Sequence, residues 1–350
     1  MKLSCVFAPL MDTPDDIAIA ERLGFERAWV FDTPHQSPDV FMTLGRAAER
    51  TDRIGLGPGV LVPSLRHPMV AAAATATLAT LAPGRVAIAF GTGFTGRRAM
   101  GHKALTWDFV SRYIVAYRGL IKGEVVDWEG AKMKMFAAAD DLAHAASDVP
   151  ILLSALGPKG EAIARSLELD GLMSFGAAVP GMVDFDWSVL QVGGTVVDDN
   201  EELDSEHVRS AAGAAWAINY HAAHDFQGGL EAVRTMPGGN AWADVIQKTP
   251  EDDRHFSIHD GHLMYLNEAD QAAWGQGGSS IITDVTFTGD PGRLRALVDD
   301  YAGQGVTELA VMTSGPDIPR ELERYINALA ECPVTDKSAR STPFDLRGPS

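Results

Sequence analysis

The stretch AFGTGFTGRRAMGHK, residues 89–103, decides the fold. It closes the apolar run Arg85-Val86-Ala87-Ile88-Ala89-Phe90 and contains Gly91-Thr92-Gly93-Phe94-Thr95-Gly96, a literal G-x-G-x-x-G. In a dinucleotide-binding turn that fingerprint follows the first strand of its domain, and an acidic residue ends a second strand about 20 residues later. Neither condition is met. Three strand–helix units precede Gly91, and the downstream segment SRYIVAY reads as helix. The glycines therefore belong to the loop after a fourth strand in a longer alternating series.

Outward from that loop the alternation is regular. Leu3–Ala8 reads as a strand and Thr13–Leu23 as a helix, with Thr13 as N-cap, Pro14 at its first position and Gly24 as its stop. Arg27 to Asp32 is a second strand, followed by the turn TPHQSPD and a helix Val40–Arg50. Arg53–Val62 is the third strand, and the next helix starts at Pro68 and ends at Pro83-Gly84. A helix Trp107–Ile121 follows the glycine loop. The pattern resumes with strand 150–154, helix 158–168 and strand 171–175, and AAGAAWAINYH (211–221) is predicted as the seventh strand. Helix Pro291–Gly303, strand Thr307–Thr313 and helix Pro319–Ala330 complete it.

Such alternation requires parallel strands with right-handed crossovers, and eight units close a (β/α)8 TIM barrel of the α/β class. The prediction is one domain over 1–332 with insertions near 122–148, 177–206 and 227–278, then a polar, Pro-rich tail 333–350. The first insertion has room for a small hairpin. Insertions of this length in barrels serve as lids or subunit contacts, so a homodimer or larger homo-oligomer is expected.

Composition narrows the function. Of the 350 residues 46 % are hydrophobic and 22 % charged, proportions of a soluble globular chain. No apolar run approaches the roughly 18 residues that span a bilayer, and MKLSCVFAPLMDTPDD reads as a first strand rather than a signal peptide. Cys5 and Cys332 are too few for a disulfide framework, which fits a reducing cytoplasm. A net charge of −18 opposes binding to nucleic acid or anionic membrane. Against it, Arg97, Arg98 and Lys103 beside the glycine loop read either as an anion site or as ordinary surface charge.

Three segments carry a family resemblance: GLGPGVLVPSLRHPMVAAAATATLATLAPGRVAIAFGTG (55–93), VPILLSALGPKGEAIARSLELDGLMSFG (149–176) and TGDPGRLRALVDDYAGQGVTELAV (288–311). With its Arg-His-Pro and Pro-Gly-Arg spacing, the chain resembles the luciferase-like superfamily of flavin-dependent oxidoreductases, nearest to the methylene-tetrahydromethanopterin reductase branch. The resemblance implies FMN or the deazaflavin coenzyme F-420 bound across the barrel mouth. It implies a phosphate site at Ser154-Ala155-Leu156-Gly157-Pro158-Lys159, where a helix N-terminus and the Lys159 charge suit an anion. Gly91, Thr92 and Gly93 would line the cofactor, and Gly176 is placed with them. Gly59-Val60 falls where the family often has a bulge with a non-prolyl cis peptide. Asp32 ends the second strand and so points to the mouth. Deazaflavin-dependent relatives often carry an adjacent Asp-His pair there, whereas this chain has FDTPHQ, with His35 three residues on.

Histidine has the proton affinity that such chemistry needs near neutral pH. His35 is the first catalytic candidate and His221, at the end of the predicted seventh strand, the second. RHFSIHDGHLMYLNEAD carries His255, His259 and His262; it is expected to lie over the cofactor, with His259 and His262 reaching substrate. No carboxylate or Cys accompanies them at a recognised metal-site spacing, so no metal is expected. His67, before a helix-starting Pro, is assigned a structural role, and His224 helical surface. The leading functional reading is a monooxygenase in which FMNH2, delivered by a separate reductase, reacts with O2 to oxidise a small organic substrate. Its alternative is a deazaflavin-dependent reductase or dehydrogenase that transfers hydride without inserting oxygen. A non-catalytic flavin-binding barrel is the rival of a different class, and the intact GTG and LGPKG loops argue against it.

Overall fold

The structure, a computed structural model, describes residues 1–136 and 146–329. Eight parallel strands close a barrel: β1 (Lys2–Phe7), β2 (Arg27–Val30), β3 (Gly55–Leu61), β4 (Ile88–Phe90), β7 (Ile151–Ser154), β8 (Gly171–Phe175), β9 (Ser188–Gly193) and β10 (Glu308–Met312). β1 pairs with β10 to close the ring. Side chains alternate along every strand. Val6, Trp29, Ala89, Leu152, Met173, Val189 and Ala310 fill the barrel interior. Their neighbours Cys5, Ala28, Val30, Ile88, Leu153 and Leu309 pack outward against the helices. Glu308 plugs the bottom, accepting hydrogen bonds from the indole N–H groups of Trp29 (2.9 Å) and Trp187 (2.8 Å).

Local signals account for most helices. The Asp39 carboxylate accepts from the N–H groups of Phe41 and Met42 and starts the helix Val40–Ala48. The Thr106 hydroxyl does the same for Trp107–Ile121. Thr13 differs from its expected role. Asp12 occupies the cap position, and the Thr13 hydroxyl instead donates to the Ala8 carbonyl at 2.7 Å and accepts from the Leu10 N–H at 2.9 Å. The predicted hairpin in 122–148 is present as β5 (Val126–Trp128) paired antiparallel with β6 (Ala131–Met133). Part of that segment, the tail 333–350 and Cys332 lie outside the described residues.

The seventh strand is a correction. Residues 211–221 lie inside a 21-residue helix, Glu206–Phe226, started by the Ser205 hydroxyl accepting from the Val208 N–H. Seven alanines from 211 to 223 favour helix, and the run has few of the β-branched residues that suit a strand. The true seventh barrel strand is β9, within the predicted insertion 177–206. Beyond it the chain leaves the barrel and returns through a narrow neck. Phe287 N–H donates to the Gly193 carbonyl at 2.9 Å, and Val197 N–H to the Gly289 carbonyl at 3.0 Å. Between the two sides of the neck, residues 198–286 form one helical insertion with a core of its own, built on Trp216, Tyr220, Trp242 and Trp274. Among the described residues no helix is long and apolar enough to cross a membrane.

Candidate active site

The carboxyl ends of the barrel strands and the underside of the insertion enclose a cavity of about 690 Å³. Its floor is the irregular end of β3. Pairing with β4 shifts register between Gly59 and Leu61, the Gly59–Val60 peptide is cis, and Gln191 of β9 donates to the Gly59 carbonyl at 3.2 Å. The bulge expected at this point is therefore present. Gly91 and Gly93 form the adjoining wall. A Cβ on Gly91 would lie 2.7 Å from Val60 Cγ2, and Gly93 has φ +68°, a left-handed conformation that starts the short helix Phe94–Ala99. The fingerprint glycines thus shape the wall of a barrel mouth, as their position after the fourth strand required.

Ser154, Leu156, Gly157, Pro158 and Lys159 form the opposite wall, where the helix Pro158–Ser166 begins. Lys159 is exposed there and brings a positive charge. Ala155 is buried beneath this loop, packed under Gly160, and Gly176 lies past the end of β8; neither is on the wall. The basic cluster of the glycine loop faces elsewhere. The Arg97 guanidinium donates to the Lys103 carbonyl (2.7 Å) and the Ser64 hydroxyl (2.6 Å), and Arg98 stacks over the Phe226 ring at 5.1 Å. Those contacts tie the loop to the turn Pro63–Leu65 after β3 and to the insertion.

Asp32 borders the cavity, but its carboxylate is already engaged. Arg66 donates to both oxygens at 2.7 and 2.8 Å, and the Val62 N–H to Oδ2 at 3.1 Å. Arg66 also reaches Asp39 at 2.5 Å, so this network fixes the β2 and β3 loops relative to each other. Burial opposes the Arg66 charge, yet its bonds to Asp32 and Asp39 hold its pKa above the usual value. Asp32 is thus a positioning residue for the floor. His67 has the structural role expected of it: its Nδ1 accepts from the Met69 N–H at the start of the helix Pro68–Leu81.

The roof comes from the insertion: Ile218 and Ala222 of the helix Glu206–Phe226, then His262 and Leu263. His262 is on the cavity wall; His35, His221 and His259 are not. All four are nevertheless neighbours. His221 Nδ1 lies 3.4 Å from His262 Nδ1, and the ring centroids of His221, His259 and His262 form a near-equilateral triangle with sides of 5.6, 5.7 and 5.7 Å. Burial and the adjacent His259 hold His35 below the usual histidine pKa. Burial also lowers His259 and, more strongly, His262. His224 is mostly buried rather than surface, with Nδ1 3.0 Å from Asp225 Oδ1. Sequence reasoning missed Gln191, Arg66, Ile218 and Ala222. The signals were slight: one polar residue inside SVLQVG, and the Arg of the Arg-His-Pro motif.

An eight-stranded α/β barrel with a glycine-walled cavity at its carboxyl mouth and a helical roof has the architecture of a barrel enzyme. Residues 8–182, half of the chain, match the luciferase-like monooxygenase family, and the chain belongs to it. It resembles the 5,10-methylenetetrahydromethanopterin reductase of Methanolobus tindarius, 26 % identical over 330 residues that span 92 % of this chain and 95 % of the relative. An F420-dependent glucose-6-phosphate dehydrogenase of Beutenbergia cavernae is 36 % identical over 163 residues, 42 % of this chain and 47 % of the relative. The solved coenzyme F420-dependent tetrahydromethanopterin reductase of Methanopyrus kandleri shares the fold, with a TM-score of 0.66 at 19 % identity over 94 % of this chain and 98 % of that one. The protein is a luciferase-like oxidoreductase.

Proposed function

We propose that this oxidoreductase works with the deazaflavin coenzyme F-420 and transfers hydride to or from a small organic substrate, with no oxygen insertion. The observation that carries the reading is the extent of the match to a methylenetetrahydromethanopterin reductase, which covers 92 % of the chain and so includes the insertion that roofs the cavity. The cavity fits a coenzyme with a flat ring and an anionic tail. A Cβ on Gly96 or Gly157 would meet no atom within 4 Å, so both glycines leave open space on the wall. Lys159 and the hydroxyls of Ser154, Thr92 and Thr95 offer donors to phosphate.

When bound, the coenzyme supplies the two-electron hydride chemistry. The chain does the rest. Gly59, Val60, Gly91 and Gly93 would offer the ring a backbone surface, and Gln191 fixes that bulge through its bond to the Gly59 carbonyl. Ile218, Ala222 and Leu263 close the roof with apolar surface, which keeps water from the reacting carbon. His262 brings a polar ring to the roof, where a substrate would meet it. A separate reductase or dehydrogenase recharges the coenzyme between turnovers.

Fluorescence titration of the protein with coenzyme F-420 and with FMN tests this. Saturable F-420 binding at least tenfold tighter than FMN, and turnover without oxygen uptake, are expected. Tighter binding of FMN, with oxygen consumed by the reduced complex, would establish the monooxygenase reading instead.

A further inference from the structure

The four histidines gathered at the roof carry more than the hydride reading uses. We propose that His221, His259 and His262 bind a divalent first-row metal ion of the zinc class, inside the insertion and bordering the cavity. Each offers a ring nitrogen, and the three nitrogens lie within 4.8 Å of one another. Two imidazole nitrogens bound to one tetrahedral ion at about 2.0–2.1 Å stand roughly 3.3 Å apart. The His221 and His262 Nδ1 atoms are 3.4 Å apart.

The carboxylates behind the rings fix which nitrogens face inward. Asp270 accepts from His221 Nε2 at 3.1 Å, and is itself held by the Trp242 indole N–H at 2.8 Å and the Asn267 N–H. Asp225 accepts from His259 Nε2 at 3.1 Å and from His224 Nδ1 at 3.0 Å. An ionised carboxylate only accepts, so His221 and His259 carry their protons on Nε2 and turn Nδ1 lone pairs into the cluster. Among the described residues nothing satisfies His259 Nδ1, which is buried without a hydrogen-bond partner, as is His262 Nε2. His259 and His262 are 3 % and 2 % exposed.

His221 and His262 share one proton between their Nδ1 atoms, which leaves the buried His259 Nδ1 without a donor, and a cation at the centre of the three rings supplies that missing partner. A carboxylate hydrogen-bonded to the far nitrogen of a ligating histidine is the arrangement that orients such ligands and raises their basicity. Asp225 and Asp270 also match the two charges of the ion. Neutral imidazole is the form that ligates. Three neutral imidazoles favour zinc, cobalt, nickel, copper or iron over magnesium or calcium. The ion would retain an open position, and because His262 is on the cavity wall an oxygen ligand such as water, a carbonyl or an alkoxide can approach from that side.

Metal binding is read without the redox coenzyme, so this proposal and the deazaflavin reading fail separately. Protein made without a polyhistidine tag, stripped with a chelator and titrated with Co2+, should bind one equivalent and show the visible absorption bands of a four-coordinate cobalt–imidazole site. Zn2+ should displace it. His259→Ala should weaken binding at least 100-fold and Asp225→Asn about tenfold to 100-fold. Absence of stoichiometric Co2+ binding by the wild-type protein overturns the proposal whatever the variants do. So does unchanged affinity in a His259→Ala protein whose circular dichroism is native.

Discussion

Across the cavity two regions face each other. On the barrel side the surface is largely backbone: the Gly59–Val60 bulge, Gly91, Gly93 and Gly157, held by bonds from Gln191 and by the Asp32–Arg66 pair. On the insertion side it is side chain: Ile218, Ala222, His262 and Leu263, carried by helices with a separate tryptophan core. Backbone at strand ends accepts a flat ring with little regard to which neighbouring side chains vary. Side chains on an insertion set what the ring meets. On the proposed reading the barrel is the coenzyme half and the insertion the substrate half, and the two are joined through the neck at 193–197 and 287–289 and by packing such as the Phe94–Phe226 stack.

If the halves are this distinct, damage to one core should stay there. Trp216 packs on Tyr220 and Trp274, and its indole N–H donates to the Gly278 carbonyl at 2.9 Å. Trp216→Ala should cost about 3–5 kcal/mol. Hydrogen exchange should show protection lost across 206–285 and retained in β1 to β4. Equal loss in both regions would mean that they form one cooperative unit and break the comparison.

The Asp32 network tests the barrel side. Removing one partner of a buried ion pair costs about 3–5 kcal/mol, and here Arg66 keeps Asp39, so about 2–3 kcal/mol is expected for Asp32→Ala. Coenzyme affinity should fall with stability, because the carboxylate also holds the Val62 N–H on the floor. Denaturant unfolding and coenzyme titration of the same variant read both. Native stability with weakened binding would restore Asp32 as a direct ligand.

Gly93→Val probes the wall more locally. Its Cβ would stand 2.7 Å from Val62 Cγ1 and 2.9 Å from Arg97 Cγ, at a backbone φ of +68°. The cost should be about 1–3 kcal/mol, concentrated in the 91–99 loop. Coenzyme binding should be lost while Co2+ binding in the roof persists. Loss of both would show that the roof depends on this loop.

The same division governs what the sequence reveals. Barrel strands are short apolar runs between Gly and Pro stops, and helices such as Trp107–Ile121 and Pro291–Gly303 have caps within a few residues, so local chemistry identifies them. β9 escapes because Gln191 interrupts SVLQVG for the sake of the cavity, while the Ala-rich run 211–217, behind the Ser205 cap, carries helix and not strand signals. Wall residues after β4 and β7 are legible, since a loop at the carboxyl end of a barrel strand must face the mouth. Ala155 is the exception, turned under the helix start by the close approach of Gly160. The roof is not legible. His221 meets His259 and His262 only because one helix of the insertion packs against a distant turn, and Asp225 and Asp270 orient the rings from behind, at spacings no ligand motif contains.

The smallest expected effect concerns Lys159, where the coenzyme half meets solvent. Its side chain begins the helix Pro158–Ser166 and is exposed, so an anion held there keeps much of its hydration. A charge-assisted hydrogen bond contributes about 1.5–3 kcal/mol when sheltered, and exposure reduces that to about 1 kcal/mol. Lys159→Ala should therefore weaken F-420 about fivefold and leave thermal stability unchanged. Raised salt should narrow the gap between wild type and variant, because screening acts on the interaction that the variant lacks. Methionine in the same position should behave like alanine and arginine like lysine. A wild-type affinity in Lys159→Ala would place the coenzyme's anionic tail elsewhere on the rim. The division into a coenzyme half and a substrate half would then rest on the glycine wall alone.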